Sequence, residues 1–338
     1  MEIRSQSNLC DNLVALDKNS KMKIVALAGG VGGAKLADGL AQILPPEDLT
    51  VVVNTGDDFE HLGLTICPDL DTVCYTLAGL ANPETGWGRA AETFHVLENI
   101  ARLGGEGWFK LGDKDLATHI ERTRRLRSGE SLSQITRDFC RAWGVRQVVL
   151  PMSDEPVRTI VDTIEYGELP FQEYFVHRKC EPRVKGFRFA GVESAKPAPG
   201  VLEAIGQAQA ILICPSNPWV SIDPILAVLE PSAICHRPSA IRHQPSATVA
   251  VSPIIGGRTV KGPAAKMYAE LGITPSALAV ARHYGSRLTH FVLDKVDQMQ
   301  AAEVENMGIQ TLVTNTIMRT PEDRRRLAQD VLNFISPL

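Results

Sequence analysis

MKIVALAGGVGGAKLADGLAQIL, residues Met22 to Leu44, decides the fold. Its apolar run Ile24 to Ala28 is short enough for a buried strand. Gly29, Gly30, Val31, Gly32 and Gly33 follow, and then Ala34, Leu36, Ala37, Leu40 and Leu44 recur at helical spacing. Strand, glycine turn and helix form the opening of a doubly wound α/β domain. Glycines let the backbone approach an anion, and a helix N-terminus offers unpaired N–H groups at the positive end of its dipole. Lys35, in the first helical turn, can add a cation to a phosphate contact. The dinucleotide fingerprint is incomplete, because Lys35 stands where the third glycine belongs when counting from Gly30. No Gly-Lys-Ser/Thr of a P-loop follows either. A tight strand-to-helix turn without a ligand is the competing explanation of this stretch.

The chain of 338 residues can bury a sizeable core and has room for one large domain or two. Its hydrophobic fraction of 44% and charged fraction of 22% are those of an ordinary globular protein. A net charge of −4 gives no electrostatic case for nucleic acid or an anionic membrane. The seven cysteines are scattered, odd in number and without a C-x-x-C. They point to reduced thiols in a cytoplasm rather than to a disulfide framework or zinc. No apolar run approaches the roughly 20 residues that span a bilayer. Residues 1–21 lack the apolar centre of a secretory signal and are expected to be a disordered leader.

Working outward, Thr50 to Asn54 is a second buried strand, ending in NTGDD. In a parallel sheet, ligands bind at the carboxyl ends of strands. Asn54, Asp57 and Asp58 are therefore expected in the same crevice as the glycine turn. Adjacent carboxylates there suit a hard cation such as Mg²⁺, or else form a solvated acidic turn. Asp69 or Asp71 can cap a helix starting near Thr72; only one can do so, which leaves the other for chemistry. Trp87, in the turn-rich PETGWG, is expected to pack rather than stack on a ligand. His119 is expected on the surface or in the core. Ser131 should cap a helix whose Leu132, Ile135, Phe139 and Trp143 form a core stripe.

Val145 to Leu150 is a third strand. Residues of about 158–195 then alternate apolar and polar side chains with turn signals, as in a small antiparallel insertion. Its basic residues, His177 to Arg188, fit a solvated face. Strand–helix alternation resumes with strands at Ala210–Cys214, Thr248–Val251, Thr289–Leu293 and Gln310–Val313, and Thr320 and Pro321 open a terminal helix. Polar loops follow the strands at the glycine turn, NTGDD, PMSDEP, PSNPWVS and SPIIGGRTVKG. Five polar strand ends around one crevice describe a nucleotide-sized ligand. Gly256, Gly257, Arg258 and Lys261 repeat the glycine-plus-cation theme of a phosphate cradle. The expected architecture is Rossmann-like: one doubly wound, mostly parallel domain over residues 22–338 with that insertion.

GGVGGAKLADGL, NTGDD, PDLDT, KLGDKDLATHI, LPMSDEPV, PSNPWVSIDPIL and SPIIGGRTVKGPAAKM, in that order, resemble the 2-phospho-L-lactate transferase family. The resemblance runs from Met22 nearly to the C-terminus. It implies a guanosine diphosphate donor carrying a small acid: lactate, enolpyruvate or glycerate. It implies the deazaflavin Fo as acceptor, GMP as leaving group, Mg²⁺, a Rossmann-like fold, a homodimer, and a place in coenzyme F-420 biosynthesis. By motif position, Asp71 and Lys114 resemble the family's Fo-binding residues. Phosphoryl transfer needs positioning and charge neutralisation more than covalent chemistry. Asp57, Asp58 and Asp71 are then candidates for metal ligand and base. Gly29, Gly30, Gly32, Gly33, Lys35, Asn54, Arg258 and Lys261 are candidates for the donor. Ser216 and Asn217 can read guanine or hold a phosphate. A rival class is a nucleotide-sugar-binding regulator that shares the GG-x-G-G opening, without turnover; PDLDT and LGDKD argue against it.

Overall fold

The structure, a computed structural model, describes residues 22–230 and 247–336. The expected leader lies outside the described residues. Seven parallel strands form the central sheet: β1 (Ile24–Ala28), β2 (Leu49–Val53), β3 (Val148–Pro151), β4 (Ala210–Ile213), β5 (Ala247–Val251), β6 (His290–Asp294) and β7 (Gln310–Thr314). Their order is β7-β6-β5-β4-β1-β2-β3. Strands run outward from β1 to β3, and the chain then returns to the other side of β1. The switch point therefore lies between β1 and β4, where a doubly wound sheet opens its ligand crevice.

β1 has no polar residue because both faces of the sheet are covered. Ile24, Ala26 and Ala28 join one core, with Leu36 and Leu40 of helix α1 (Gly30–Ala41) and Leu327 and Val331 of the terminal helix Pro321–Ile335. Val25 and Leu27 join the opposite core with Ile222, Ile225 and Phe291. Burying each such side chain contributes about 1.5–3 kcal/mol.

Three expected boundaries move. The glycine run is not a turn before the helix, because α1 begins at Gly30 itself. Helix α2 (Pro68–Leu77) starts four residues before Thr72, since Pro68 is already set for its first turn. β3 begins at Val148 instead of Val145. Helices α3 (His95–Arg102), α4 (Asp113–Arg127) and α5 (Leu132–Ala142) separate α2 from β3. Ser131 caps α5 in a capping box with Gln134. Leu132 and Ile135 are buried, whereas Phe139 and Trp143 are only half-buried. Trp87, expected to pack, is 47% exposed.

The insertion is a three-stranded antiparallel sheet, Arg158–Thr163 between Gly167–Pro170 and Val184–Ala190. Its basic residues pair along the surface, Arg183 with Glu165 and Arg188 with Glu168. Among the described residues, no helix is long and apolar enough to cross a membrane.

Candidate active site

The crevice is fastened at the switch point by Ser216, just beyond β4. Its hydroxyl donates to the Gly29 carbonyl at 2.8 Å and accepts the Gly29 N–H at 3.2 Å. Two glycines of the run answer to this close approach. A Cβ on Gly32 would lie 2.2 Å from the Pro215 carbonyl oxygen, and one on Gly33 would lie 2.7 Å from Ser216 Oγ. Gly30 is needed for a different reason: its φ is +61°, in the left-handed region.

Neither Asp69 nor Asp71 is the N-cap of α2; that position is Cys67. Asp69 instead serves the neighbouring helix. Its Oδ1 accepts the Gly30 N–H at 2.7 Å, at the start of α1. Its Oδ2 accepts from Asn54 Nδ2 at 2.9 Å. Asn54 is wholly buried, also donates to the Val220 carbonyl, and accepts the Gly56 N–H. Asn54 thus ties the end of β2 to α2 and to the loop after β4.

Asp57 and Asp58 are buried, Asp57 close to Asp69 and Asp58 close to Asp71, and each holds one buried carboxylate oxygen with no hydrogen-bond partner. Burial pushes Asp57 well above the usual carboxylate range, and the charge of Asp69 adds to it. Burial raises Asp58 to about 7, against the pull of the Arg158 guanidinium and a hydrogen bond from Cys67. Burial raises Asp69 to about 6, opposed by its bonds from Asn54 and Gly30. Orphaned buried oxygens on crowded carboxyls are what a hard, oxygen-ligated dication would satisfy. Asp57 and Asp58 are the residues able to hold one, with Asp69 behind them.

Asp71, whose charge also raises Asp58, differs in being paired. Both of its oxygens are taken by Arg122 of α4, Oδ2 by NH1 at 3.0 Å and Oδ1 by NH2. Arg122 NH1 also lies 3.2 Å from His119 Nδ1 and 3.4 Å from the Thr65 carbonyl. His119 Nε2 is 3.5 Å from Asp115 Oδ1, and Tyr75 hydrogen-bonds Asp115 at 2.7 Å. Asp71, Asp115 and His119 place ligand atoms within 4.8 Å of one another. The guanidinium, however, already stands where a cation would neutralise Asp71.

The cations expected at the donor are spread out. Lys35 donates to the Met318 carbonyl at 2.8 Å. Burial lowers its pKa, and the nearby positive charges of Arg324 and Lys261 lower it further. Lys261 reaches across to the Thr85 carbonyl. A Cβ on Gly86 would fall 2.6 Å from Val31 Cγ1, so the 82–88 loop lies against the first turn of α1. Arg258 is exposed on the hairpin formed by Ile254–Ile255 and Arg258–Thr259. Asn217 is spent locally, accepting the Trp219 N–H at 3.1 Å and lying 3.3 Å from Met267 Sδ. Lys114, exposed on the first turn of α4, donates to the carbonyls of Ala90 and Ala91.

Arg122, Arg158 and Glu92 escape a reading of motifs. Glu92 accepts the N–H groups of Lys114 and Asp115 and so caps α4 from outside. One signal for Arg122 was available: Asp115, His119 and Arg122 stand at i, i+4 and i+7, on one face of a helix.

A parallel sheet in the order of a dinucleotide fold, with orphaned carboxylate oxygens in the loop after β2, defines a Rossmann-like protein. The chain belongs to the 2-phospho-L-lactate transferase CofD family, whose profile it matches over residues 24–328. It is a transferase. It is 47% identical, over 93% of its length and 98% of the relative's, to a Streptomyces griseus protein named phosphoenolpyruvate transferase. It is 39% identical, over 91% and 99%, to a Methanosarcina mazei protein named 2-phospho-L-lactate transferase. A crystal structure of a UPF0052 family protein from Bacillus halodurans superposes with a TM-score of 0.59 at 16% identity, covering 92% of this chain and 98% of that one. That likeness carries the fold alone.

Proposed function

We propose that the protein transfers a phosphoenolpyruvyl group from a guanosine diphosphate donor to the terminal ribityl hydroxyl of Fo, in coenzyme F-420 biosynthesis. The observation that carries the chemistry is the pair of buried, unpartnered carboxylate oxygens on Asp57 and Asp58 in the loop after β2. Preference for the enolpyruvyl acid rests on five relatives named phosphoenolpyruvate transferase at 43–47% identity, above two named 2-phospho-L-lactate transferase at 39% and 40%; a sixth named phosphoenolpyruvate transferase is 38% identical.

The acceptor oxygen bonds to the phosphorus bearing the acid, the bridge to the other phosphorus breaks, and GMP leaves with that electron pair. Asp71 holds the attacking hydroxyl and receives its proton. The N-terminus of α1 and Lys35, Arg258 and Lys261 offset the donor's negative charge. Asp57 and Asp58 would hold Mg²⁺, which, when bound, neutralises charge on the diphosphate. Lys114 binds the acceptor near the start of α4. The family resemblance further supports a homodimer, to be read by light scattering.

The test is incubation of purified protein with Fo and the three acid-bearing guanosine diphosphate donors. GMP release and a product of the mass of phosphoenolpyruvyl-Fo are expected, fastest with the enolpyruvyl donor. Donor binding without GMP release from any of the three would favour the regulator instead.

A further inference from the structure

The pair formed by Asp71 and Arg122 is lopsided. The Arg122 side chain is 2% exposed and His119 1%, while the Asp71 side chain keeps 8%. The small exposed part of the pair therefore belongs to Asp71, while Arg122 is almost wholly enclosed. Arg122 is among the largest fully buried side chains of the protein. Its planar fork meets both carboxylate oxygens at once, which fixes the carboxylate plane in a way that a point charge cannot.

The fork is itself held. Arg122 NH1 meets His119 Nδ1 and the Thr65 carbonyl. His119 Nε2 lies 3.5 Å from Asp115 without a hydrogen bond, and Asp115 accepts from the Tyr75 hydroxyl, which also bonds Thr118 at 2.8 Å. Tyr75 lies on α2 with Asp71; Arg122, His119, Asp115 and Thr118 lie on α4; and Thr65 lies in the short strand Leu64–Ile66, so the contacts run between the two helices. A buried ion pair adds little net stability, since removing two charges from water offsets their attraction. An apolar pair would join α2 to α4 about as well.

We propose that Arg122 is a positioning residue, braced by His119, which sets the plane of the Asp71 carboxylate toward the acceptor hydroxyl. This rests on the role given to Asp71 above. A purely structural pair would change stability and leave the turnover of folded protein intact.

The experiment is a double-mutant cycle on the full chain, with rates normalised to the folded fraction by near-UV circular dichroism. Arg122→Lys keeps the charge and loses the fork. It should lower kcat about 10²-fold, the cost of a misplaced reacting group, with donor KM unchanged. His119→Gln should lower kcat by a smaller factor in the same way, and it decides the matter if Arg122→Lys does not fold. In an Asp71→Asn background neither change should slow the enzyme further. Losses that multiply in the double variants, or wild-type kcat in folded Arg122→Lys or His119→Gln, would overturn the positioning role while leaving Asp71 in place. Asp71→Asn at the wild-type rate would overturn the role of Asp71, and this one with it.

Discussion

Asp69 of α2 accepts the backbone N–H of Gly30, 2.7 Å away at the start of α1. One helix therefore supplies the other's cap, and the crevice between them cannot widen without breaking this bond. Asp69→Ala would leave the Gly30 N–H and the Asn54 amide without this acceptor. A loss of about 1–3 kcal/mol is expected for each such buried donor. Urea unfolding of Asp69→Ala should show it, with the donor bound more weakly. Unchanged stability would mean that water replaces the carboxylate.

Gly32 and Gly30 should separate packing from backbone strain. Gly32→Val puts a branched side chain where the Pro215 carbonyl stands, 2.2 Å from the new Cβ. Its main effect should be on folding, by about 1–3 kcal/mol or more, rather than on donor affinity alone. Gly30→Ala meets nothing nearer than Asp69 at 3.7 Å, but must hold φ at +61°. It should fold with a cost of about 1–2 kcal/mol. Thermal melts of the two variants check the order; Gly32→Val as stable as Gly30→Ala would contradict it.

The crevice was legible because strands end where hydrophobicity ends. Asn54, Asp57 and Asp58 follow an unbroken apolar run, so period and polarity placed them at a strand's carboxyl end without any tertiary information. The assignment of Asp69 and Asp71 was not legible. Sequence spacing speaks only of capping within their own helix, whereas Asp69 caps another one. The partner of Asp71 lies 51 residues away, on α4. Gly32 has two readings in sequence, a glycine facing a phosphate or a tight turn without a ligand; the close approach of the Pro215 carbonyl belongs to neither, because it comes from a segment far away in the chain.

Metal should stabilise the protein, and more so as pH rises. Folding raises Asp69 to about 6 and Asp58 to about 7. Their unfolded value is about 3.9. The metal-free folded state thus holds protons that the unfolded chain releases. The stability from these groups is fully present below about pH 4 and is lost as pH climbs through about 6 to 7. A dication binds the ionised carboxylates, so its stabilising effect should grow across that range. Melting temperatures of chelator-treated protein with and without Mg²⁺ check this at several pH values. The Mg²⁺ shift should shrink in Asp57→Asn. A shift that is flat with pH, or undiminished in Asp57→Asn, would place the cation elsewhere.

Stability and turnover should part company at Asp71. Asn in its place retains a hydrogen-bond acceptor but leaves Arg122 as a buried cation without its counter-charge. Breaking such a pair from one side costs about 3–5 kcal/mol. Asp71→Asn should therefore be clearly destabilised, which a capping role would not produce, since Asn caps as well as Asp. Replacing both partners with apolar residues, as in Asp71→Leu with Arg122→Met, removes both charges together and should recover much of that loss. Turnover should not recover with it. If Asp71 receives the hydroxyl proton, the double variant stays about 10²–10⁴-fold slow even when fully folded. Denaturant midpoints set beside GMP release for the wild type and the two variants give both answers. A double variant that regains stability and rate together would make the pair a strut between α2 and α4 and nothing more.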